Sequence, residues 1–545
     1  MAKAKKTTRT LTLRLLRESK TISDAFTESY AEKTSKVLTK KPWQKIDGAW
    51  LFTGQIYSNP PGWLSFIDSG KNLIDESLHT GGAGAVIFIP IGKRYVAVCF
   101  GHIHIALEDD AFERQFGLKV ALNSIPSNRI RTLDIATPDA VTFQKRVQAS
   151  KDSELSQFGF DTVRDLARVA GGTPLDITVG KFMAGKDSLS LTCEIEVDDL
   201  QSKCKQVLTI YKKDDYKTDY AWFDNLKVVK EDSVLQQLDA KLYEELMQLM
   251  TGGVSMLHLT PPEIVNYMEG SELHYNGFGS KGTTFNKLSI EDYVNELSRC
   301  KFTGDIDEIR SKHKVNAKTG DASKFSEQWK LYDCFIFEVE LSIDGENLVF
   351  VLFGGDWYCV NADFKKQIES YFDAVKRITV VGKTKCSNEQ KLIKNLHENR
   401  PDLLMLDQTK INPRGVPNAF IEPCDFFSDK KQFIHLKDAN SSGAISHLWS
   451  QAVVSATALA VDPNFRKDLR NVVQKKKQPN FLKLLPTAAE KVNRDEYTVV
   501  FGLMRKPYVN GSIDIPFFSK VSFQPAAQRL EQLGFPIAIE LIEKL

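Results

Sequence analysis

The sequence predicts a mixed α/β and α+β protein of several domains, with repeated β-β-α units and a C-terminal α-β-β-α core. Three observations predict it. At 545 residues the chain exceeds what one ordinary hydrophobic core organises. Twice, a hairpin of β-branched and aromatic residues is followed by a helical pattern. From Ser387 onward, helical and strand periodicities alternate in the order helix, strand, hairpin, long helix.

In the first part, residues 1–232, TLTLRLL reads as a strand and is followed by a Lys-rich, Ser/Thr-rich helical stretch. GAVIFIPIGKRYVAVCFG then reads as a hairpin turned at Gly92, with the helical patch DDAFERQFG after it. Residues 233–330 are expected to be a helical segment and connector. DSVLQQLDAKLYEELMQLM carries apolar residues at helical spacing, and Thr260 to Glu263 forms a capping-box pattern with proline in the first turn. The stretch from about 269 to 330, rich in Gly, Ser, Lys and Asn, reads as the connector itself.

Residues 331–385 hold the second unit, CFIFEVELSIDGENLVFVLFG turned at Asp344-Gly345, then a polar segment and the helical ADFKKQIESYFDAVK. Residues 386–483 hold the α-β-β-α core. Residues 484–545 form a C-terminal α+β segment, with a third copy of the unit suggested by YTVVFGLMRK and IPFFSKVSFQPAAQRLEQLG.

Hydrophobic residues at 42% and charged residues at 26% fit a water-soluble globular chain. Lys+Arg 72 against Asp+Glu 70 leaves a net charge of +2, so a nucleic-acid surface must come from local clustering. The eight cysteines show no CxxC pair and read as reduced core residues. With no apolar run near the ~20 residues that span a bilayer and no secretion signal, the expectation is a cytoplasmic protein without a membrane partner.

The chemistry concentrates in IEPCDFFSDKKQFIHLK, residues 421 to 437. As a hairpin its loop length decides which acid serves, because cross-strand partners share a face. A two-residue turn at Asp429-Lys430 sets Glu422 opposite Lys437. A three-residue loop centred on Asp429 puts Asp425 on the face of Phe433, His435 and Lys437. With SNEQKLIKNLHEN and LLML before it and GAISHLWSQAVVSATALA after it, the segment resembles the core of the restriction-endonuclease-like, PD-(D/E)XK nucleases.

The resemblance implies a catalytic set of Glu389 on the first helix, Asp425 on a strand, and His435 and Lys437 on the next. Asp425 and Glu389 would hold Mg²⁺ or Mn²⁺, with Glu422 as the alternative ligand, and Lys437 would orient or activate water. His435 stands where the family carries an acid, and a neutral imidazole brings no negative charge. On the long helix, Ile445, Leu448, Trp449, Ala452, Val453 and Ala456 form an apolar stripe. His447 and Gln451, one turn apart on another side, are candidate nucleic-acid contacts. Beyond them Arg466, Lys467, Arg470, Lys475, Lys476 and Lys477 form a cluster suited to phosphates, which also reads as an ordinary solvated face. His102 and His104 could pair on a metal but lack a third ligand, and read as structural.

End to end, the chain resembles a sporadically distributed bacterial family of similar length. The resemblance rests on QASKDSELSQFGFDTVRDL, AGKDSLSL, WFDN, LTPPEIV, IEPCDFF, FIHLK, ISHLWSQAVVSA and IPFFSKVSFQPAA. By analogy it implies an antiphage or restriction-type DNase, with DNA or RNA as partner and self-assembly or a neighbouring defence protein as company. The alternatives are a nuclease-fold protein that binds DNA or RNA without cleaving it, and a non-catalytic assembly or sensor protein.

Overall fold

The computed structural model describes residues 7–30, 38–59, 80–137, 142–253, 255–266, 271–280, 282–319, 325–412, 420–439, 442–507 and 511–545. It is a mixed α/β and α+β protein. The N-terminal part is a ten-stranded antiparallel sheet with Thr7–Leu15 in its interior. The predicted hairpin is β1 (Thr80–Ile91) and β2 (Arg94–Gly101), turned at Gly92, where a φ of +64° suits glycine. The helix after it, α1 (Phe116–Ser124), begins later than DDAFERQFG suggested. Gln115 at φ +56° breaks that run, and its N–H donates to Asp187 Oδ1 at 2.8 Å.

The second unit forms with one more strand than expected. Asp344 and Gly345, both at positive φ, join β3 (Phe335–Ile343) to β4 (Glu346–Phe353), the turn that an Asp-Gly pair favours. The polar segment that follows is strand β5 (Asp356–Val360), and helix α2 (Ala362–Ala374) starts from an Asn361 cap. The unit is therefore β-β-β-α. Among the described residues the supposed third copy holds one strand, Thr498–Arg505, and one helix, Phe517–Gln532, rather than a hairpin and a helix.

The middle departs further from expectation. The helix Asp232–Met250 forms, but TPPEIV does not open one: Glu263 instead accepts a hydrogen bond from Trp329 Nε1 at 2.9 Å. The stretch read as a connector holds three antiparallel strands, Ser271–Asn276, Lys314–Thr319 and Ser326–Lys330, and two helices, Ile290–Arg299 and Ile306–Lys312. Its short apolar runs hold aromatic anchors. Tyr275, Tyr293 and Trp329 share a core with Leu238, Leu242, Phe335 and Trp357.

The C-terminal part is a six-stranded sheet between helical layers. Its elements are α3 (Glu389–Asn399), β6 (Leu403–Met405), β7 (Phe426–Ser428), β8 (Gln432–Asp438), α4 (Ser442–Val461), α5 (Pro463–Lys475), β9 (Thr498–Arg505), α6 (Phe517–Gln532) and β10 (Ile537–Lys544). The sheet runs from β6 through β7, β8, β9 and β10 to a two-residue edge strand, Lys383–Thr384. β6, β7 and β8 are antiparallel neighbours, whereas β8, β9 and β10 are parallel and need the helical crossovers between them. Leu392, Ile393 and Leu396 of α3 pack on one face, against Ile434, Leu436 and Val500. Ile445, Leu448, Trp449, Ala452 and Ala456 of α4 cover the other, against Phe427, Phe433 and Phe501. Among the described residues no helix is long and apolar enough to cross a membrane.

One side chain clasps the last two parts together. Glu338 on β3 accepts the backbone N–H groups of Phe517 at 2.5 Å and Phe518 at 2.9 Å, capping α6, whose N-cap Pro516 has no side-chain acceptor. Removal from water pushes this carboxyl up to about 7, although the two N–H groups pull the other way. A carboxyl whose folded value lies above its unfolded value of 4.5 makes folding less favourable as pH rises from about 4.5 to 7. Glu338→Gln lacks that charge. Its melting temperature relative to the native protein is therefore expected to rise between pH 5 and pH 8; melting curves that stay parallel would exclude this role.

Candidate metal centre and nucleic-acid interface

The hairpin loop is Asp429-Lys430-Lys431, with Phe426 opposite Ile434 and Phe427 opposite Phe433. It has the odd length of the second expectation but is centred on Lys430, one residue later than expected. Lys431 adopts φ +57° and donates its N–H to Ser428 O at 3.1 Å, a three-residue loop of the type that ends in a left-handed residue. IEPC lies outside the strand, and at Asp425 the ladder changes character. The Asp425 N–H donates to Ile434 O at 3.0 Å, while its Oδ2 accepts the Leu436 N–H at 2.6 Å.

Three carboxylates meet here: Asp407, Glu422 and Asp425 each offer an oxygen, all within 4.8 Å of one another. The backbone explains how. Asp425 O accepts the N–H groups of Leu406 at 2.7 Å and Asp407 at 3.0 Å, tying the end of β6 to the start of β7. Gln408 then turns at φ +58° and donates its N–H to Glu422 Oε1 at 2.5 Å. Reciprocal bonds between Ile411 and Ile421, at 3.0 and 2.8 Å, close the loop.

Burial, opposed by the Leu436 N–H and reinforced by Glu422, Glu389 and Asp407, pushes Asp425 up to about 8. Burial also raises Glu422; the Gln408 N–H opposes it, Asp407 adds to it and Lys437 offsets it. Carboxylates crowded and desolvated in this way repel one another, and a divalent cation would relieve that repulsion with the oxygen ligands it prefers.

Lys437 lies within electrostatic reach of Glu422 and pairs with Glu389 at 3.1 Å. Glu389 Oε2 also accepts the Asp438 N–H at 3.3 Å. Glu389 thus stands outside the three-carboxylate group and holds Lys437, whereas the sequence reading made it a metal ligand. His435 is 3% exposed, and burial pushes its imidazole down to about 3. Its ring lies 6.5 Å from that of Phe501, its Nε2 is buried without a partner, and it is not a member of the carboxylate group. His435 is therefore a neutral core residue, and its assignment as a catalytic or metal-binding group is corrected. Asp407, which the sequence reading passed over, supplies the third carboxylate of the group.

On α4, Gln451 Nε2 reaches Glu422 Oε2 at 3.5 Å, so the glutamine does arrive at the carboxylates; His447, one turn earlier, is exposed. The basic cluster divides. Arg466 is 5% exposed and donates to the carbonyls of Leu459, Ala460, Thr487 and Ala488. Arg470 donates to Leu482 O and Leu485 O. Both arginines satisfy backbone oxygens where chain segments end; the assignment of the buried Arg466 as a phosphate contact is corrected, while Arg470 is half-buried. Lys467, Lys475, Lys476 and Lys477 are exposed. Arg466→Ala is expected to lower stability by about 2–4 kcal/mol, since stranded buried carbonyls cost about 1–3 kcal/mol each and some regain water. Thermal melts check this, and an unchanged melting temperature would contradict it. His102 caps and His104 lies within a short 3-10 helix, Ile103–Ala106.

Neither a curated protein nor a solved structure matches the chain. The model of a family of unknown function, DUF6119, matches residues 11–543. The chain, matched over nearly its whole length, belongs to the DUF6119 family.

Proposed function

We propose that the protein is a metal-dependent nuclease whose C-terminal part is a divergent PD-(D/E)XK catalytic unit, acting on DNA in an antiphage or restriction role. The observation that carries the reading is the meeting of Asp407, Glu422 and Asp425 within 4.8 Å, beside a lysine held by Glu389 at 3.1 Å. The order α3-β6-β7-β8-α4-α5-β9, with an antiparallel meander followed by a parallel strand, supports it.

Asp407, Glu422 and Asp425 would hold Mg²⁺ or Mn²⁺, which when bound polarises a phosphoryl oxygen and makes water a better nucleophile. In the hydrolysis, water forms the new P–O bond, one phosphodiester P–O bond breaks, and the water's proton ends on the departing oxygen. Lys437 would orient the water or offset charge on the phosphate, and Glu389, paired with it at 3.1 Å, would keep its ammonium in position. Gln451 fixes Glu422 from the α4 side. The exposed lysines of α5 and its C-terminal end offer phosphate contacts that weaken with salt. Purified protein is expected to nick or degrade DNA with Mg²⁺ or Mn²⁺ and to stop with EDTA.

A second reading, nucleic-acid binding without cleavage, draws on the buried neutral His435 in the place of an acid. DNA binding that persists in EDTA, with no cleavage under any divalent ion, would decide for it.

A further inference from the structure

Beside the carboxylates, between the 408–411 turn and helix α4, lies a cleft of about 770 Å³. Glu422 and Gln451 form its inner wall and so connect it to the proposed metal centre. Its outer wall is of a different kind. The Phe420 ring, two residues from Glu422, is 56% exposed, and Lys410 Nζ stands 5.5 Å from its centroid. Across the cleft, α4 contributes His447 and Val454, the latter 50% exposed.

Large apolar side chains standing in water beside a cluster of acids need an account. The isolated exposed hydrophobe is ordinary, but here an aromatic ring, a lysine and a polar helix face converge on one cleft that opens onto one carboxylate group. A base offers a π-face to an aromatic ring whatever its identity, and its phosphate offers charge to a lysine. In a duplex the base faces are already stacked on one another, so only an unpaired nucleotide can use such a ring.

The geometry points to a single-stranded nucleic-acid substrate, with one unpaired base stacked on Phe420, its phosphate near Lys410, and its edge facing His447 and Gln451. This rests on the nuclease reading and specifies its substrate class: single strands, flaps or frayed ends rather than continuous duplex.

The test has two arms, so that the failure of the cleft and the failure of the nuclease reading are told apart. In the first, fluorescent single-stranded and blunt duplex oligonucleotides are titrated in Ca²⁺. The native protein is expected to bind the single strand at least about tenfold more tightly. Phe420→Ala is expected to weaken single-strand binding by about tenfold and to leave duplex binding unchanged. Lys410→Ala is expected to flatten the dependence of log affinity on log salt by about 0.7. Equal binding of the two forms, or single-strand binding unaffected by Phe420→Ala, overturns the assignment whether or not the protein cleaves.

In the second arm, cleavage is followed with Mn²⁺ on the single strand and on an abasic oligonucleotide of tetrahydrofuran residues, whose phosphodiesters carry no ring to stack. Phe420→Ala is expected to raise KM for the base-bearing oligonucleotide and to leave turnover of the abasic one unchanged. Loss of both activities in Phe420→Ala would also overturn the assignment, because the ring would then serve the metal centre or the fold rather than a base. Single-strand preference with no cleavage of either substrate by the native protein would leave the cleft standing and bring down the nuclease reading.

Discussion

Asp425→Asn is expected to reduce metal-dependent cleavage by more than about a hundredfold while leaving the protein folded. Altering even a group that merely supports a metal ligand costs about 10–100-fold, and Asp425 is placed as a ligand itself. Asparagine keeps an oxygen for the Leu436 N–H, so the hydrogen bond at 2.6 Å has a successor and the start of β7 keeps its anchor. What disappears is the charge.

That loss has an opposite effect on stability. The Asp425 carboxyl sits at about 8 in the folded protein against 3.8 when unperturbed, because burial and the neighbouring acids disfavour its ionised form. A raised folded value means that metal-free protein loses stability as pH rises from about 4 to 8. Metal-free Asp425→Asn is therefore expected to melt higher than the native protein at pH 8, with the difference shrinking toward pH 4. Inactivity accompanied by a lower melting temperature at pH 8 would show that Asp425 supports the fold rather than the chemistry.

Lys437→Ala is the second large effect, a loss of about a hundredfold or more in turnover, within the range that positioned acid–base groups contribute. It should differ from Asp425→Asn in kind. Lys437 carries no ligand oxygen, so metal binding is expected to survive, and removing the ammonium frees Glu389, which Lys437 now holds at 3.1 Å. Lys437→Arg restores the ion pair with a planar guanidinium that does not give up its proton, so it separates positioning from proton transfer. Turnover near native with arginine would assign Lys437 to electrostatics alone. Native turnover in Lys437→Ala would remove it from the mechanism.

Much of the C-terminal architecture was legible because local signals agreed there. Asn388 caps α3, Asp462-Pro463 opens α5, and the 3.6-residue stripe from Ile445 to Ala456 marks the buried face of α4. Asp344-Gly345 likewise announced its own turn. The missed elements had no such agreement. Thr260 and Glu263 carry the residue types of a capping box, yet Trp329, 66 residues downstream, claims the glutamate. Strand β5 was hidden because its turn, Gly354-Gly355, resembled a loop, and the 271–330 sheet because its strands are short and polar.

The site was half legible. Asp425 and Lys437 entered through the family resemblance, but Asp407 is held by the Leu406 and Asp407 N–H bonds to Asp425 O, which a strand pattern does not show. His435 fitted the spacing of a ligand; its burial against Phe501 was decided by tertiary packing. Arg466 and Arg470 read as surface charge because sequence does not show that a helix end and a following loop bring unpaired carbonyls within reach.

Mn²⁺ titration followed by electron paramagnetic resonance reads out whether Asp407, Glu422 and Asp425 together bind a divalent cation, as proposed. The native protein is expected to take up Mn²⁺ saturably, Lys437→Ala to do the same, and Asp407→Asn and Asp425→Asn to lose that site. Binding in Asp407→Asn and Asp425→Asn equal to that of the native protein, or no saturable binding in the native protein, would contradict the account.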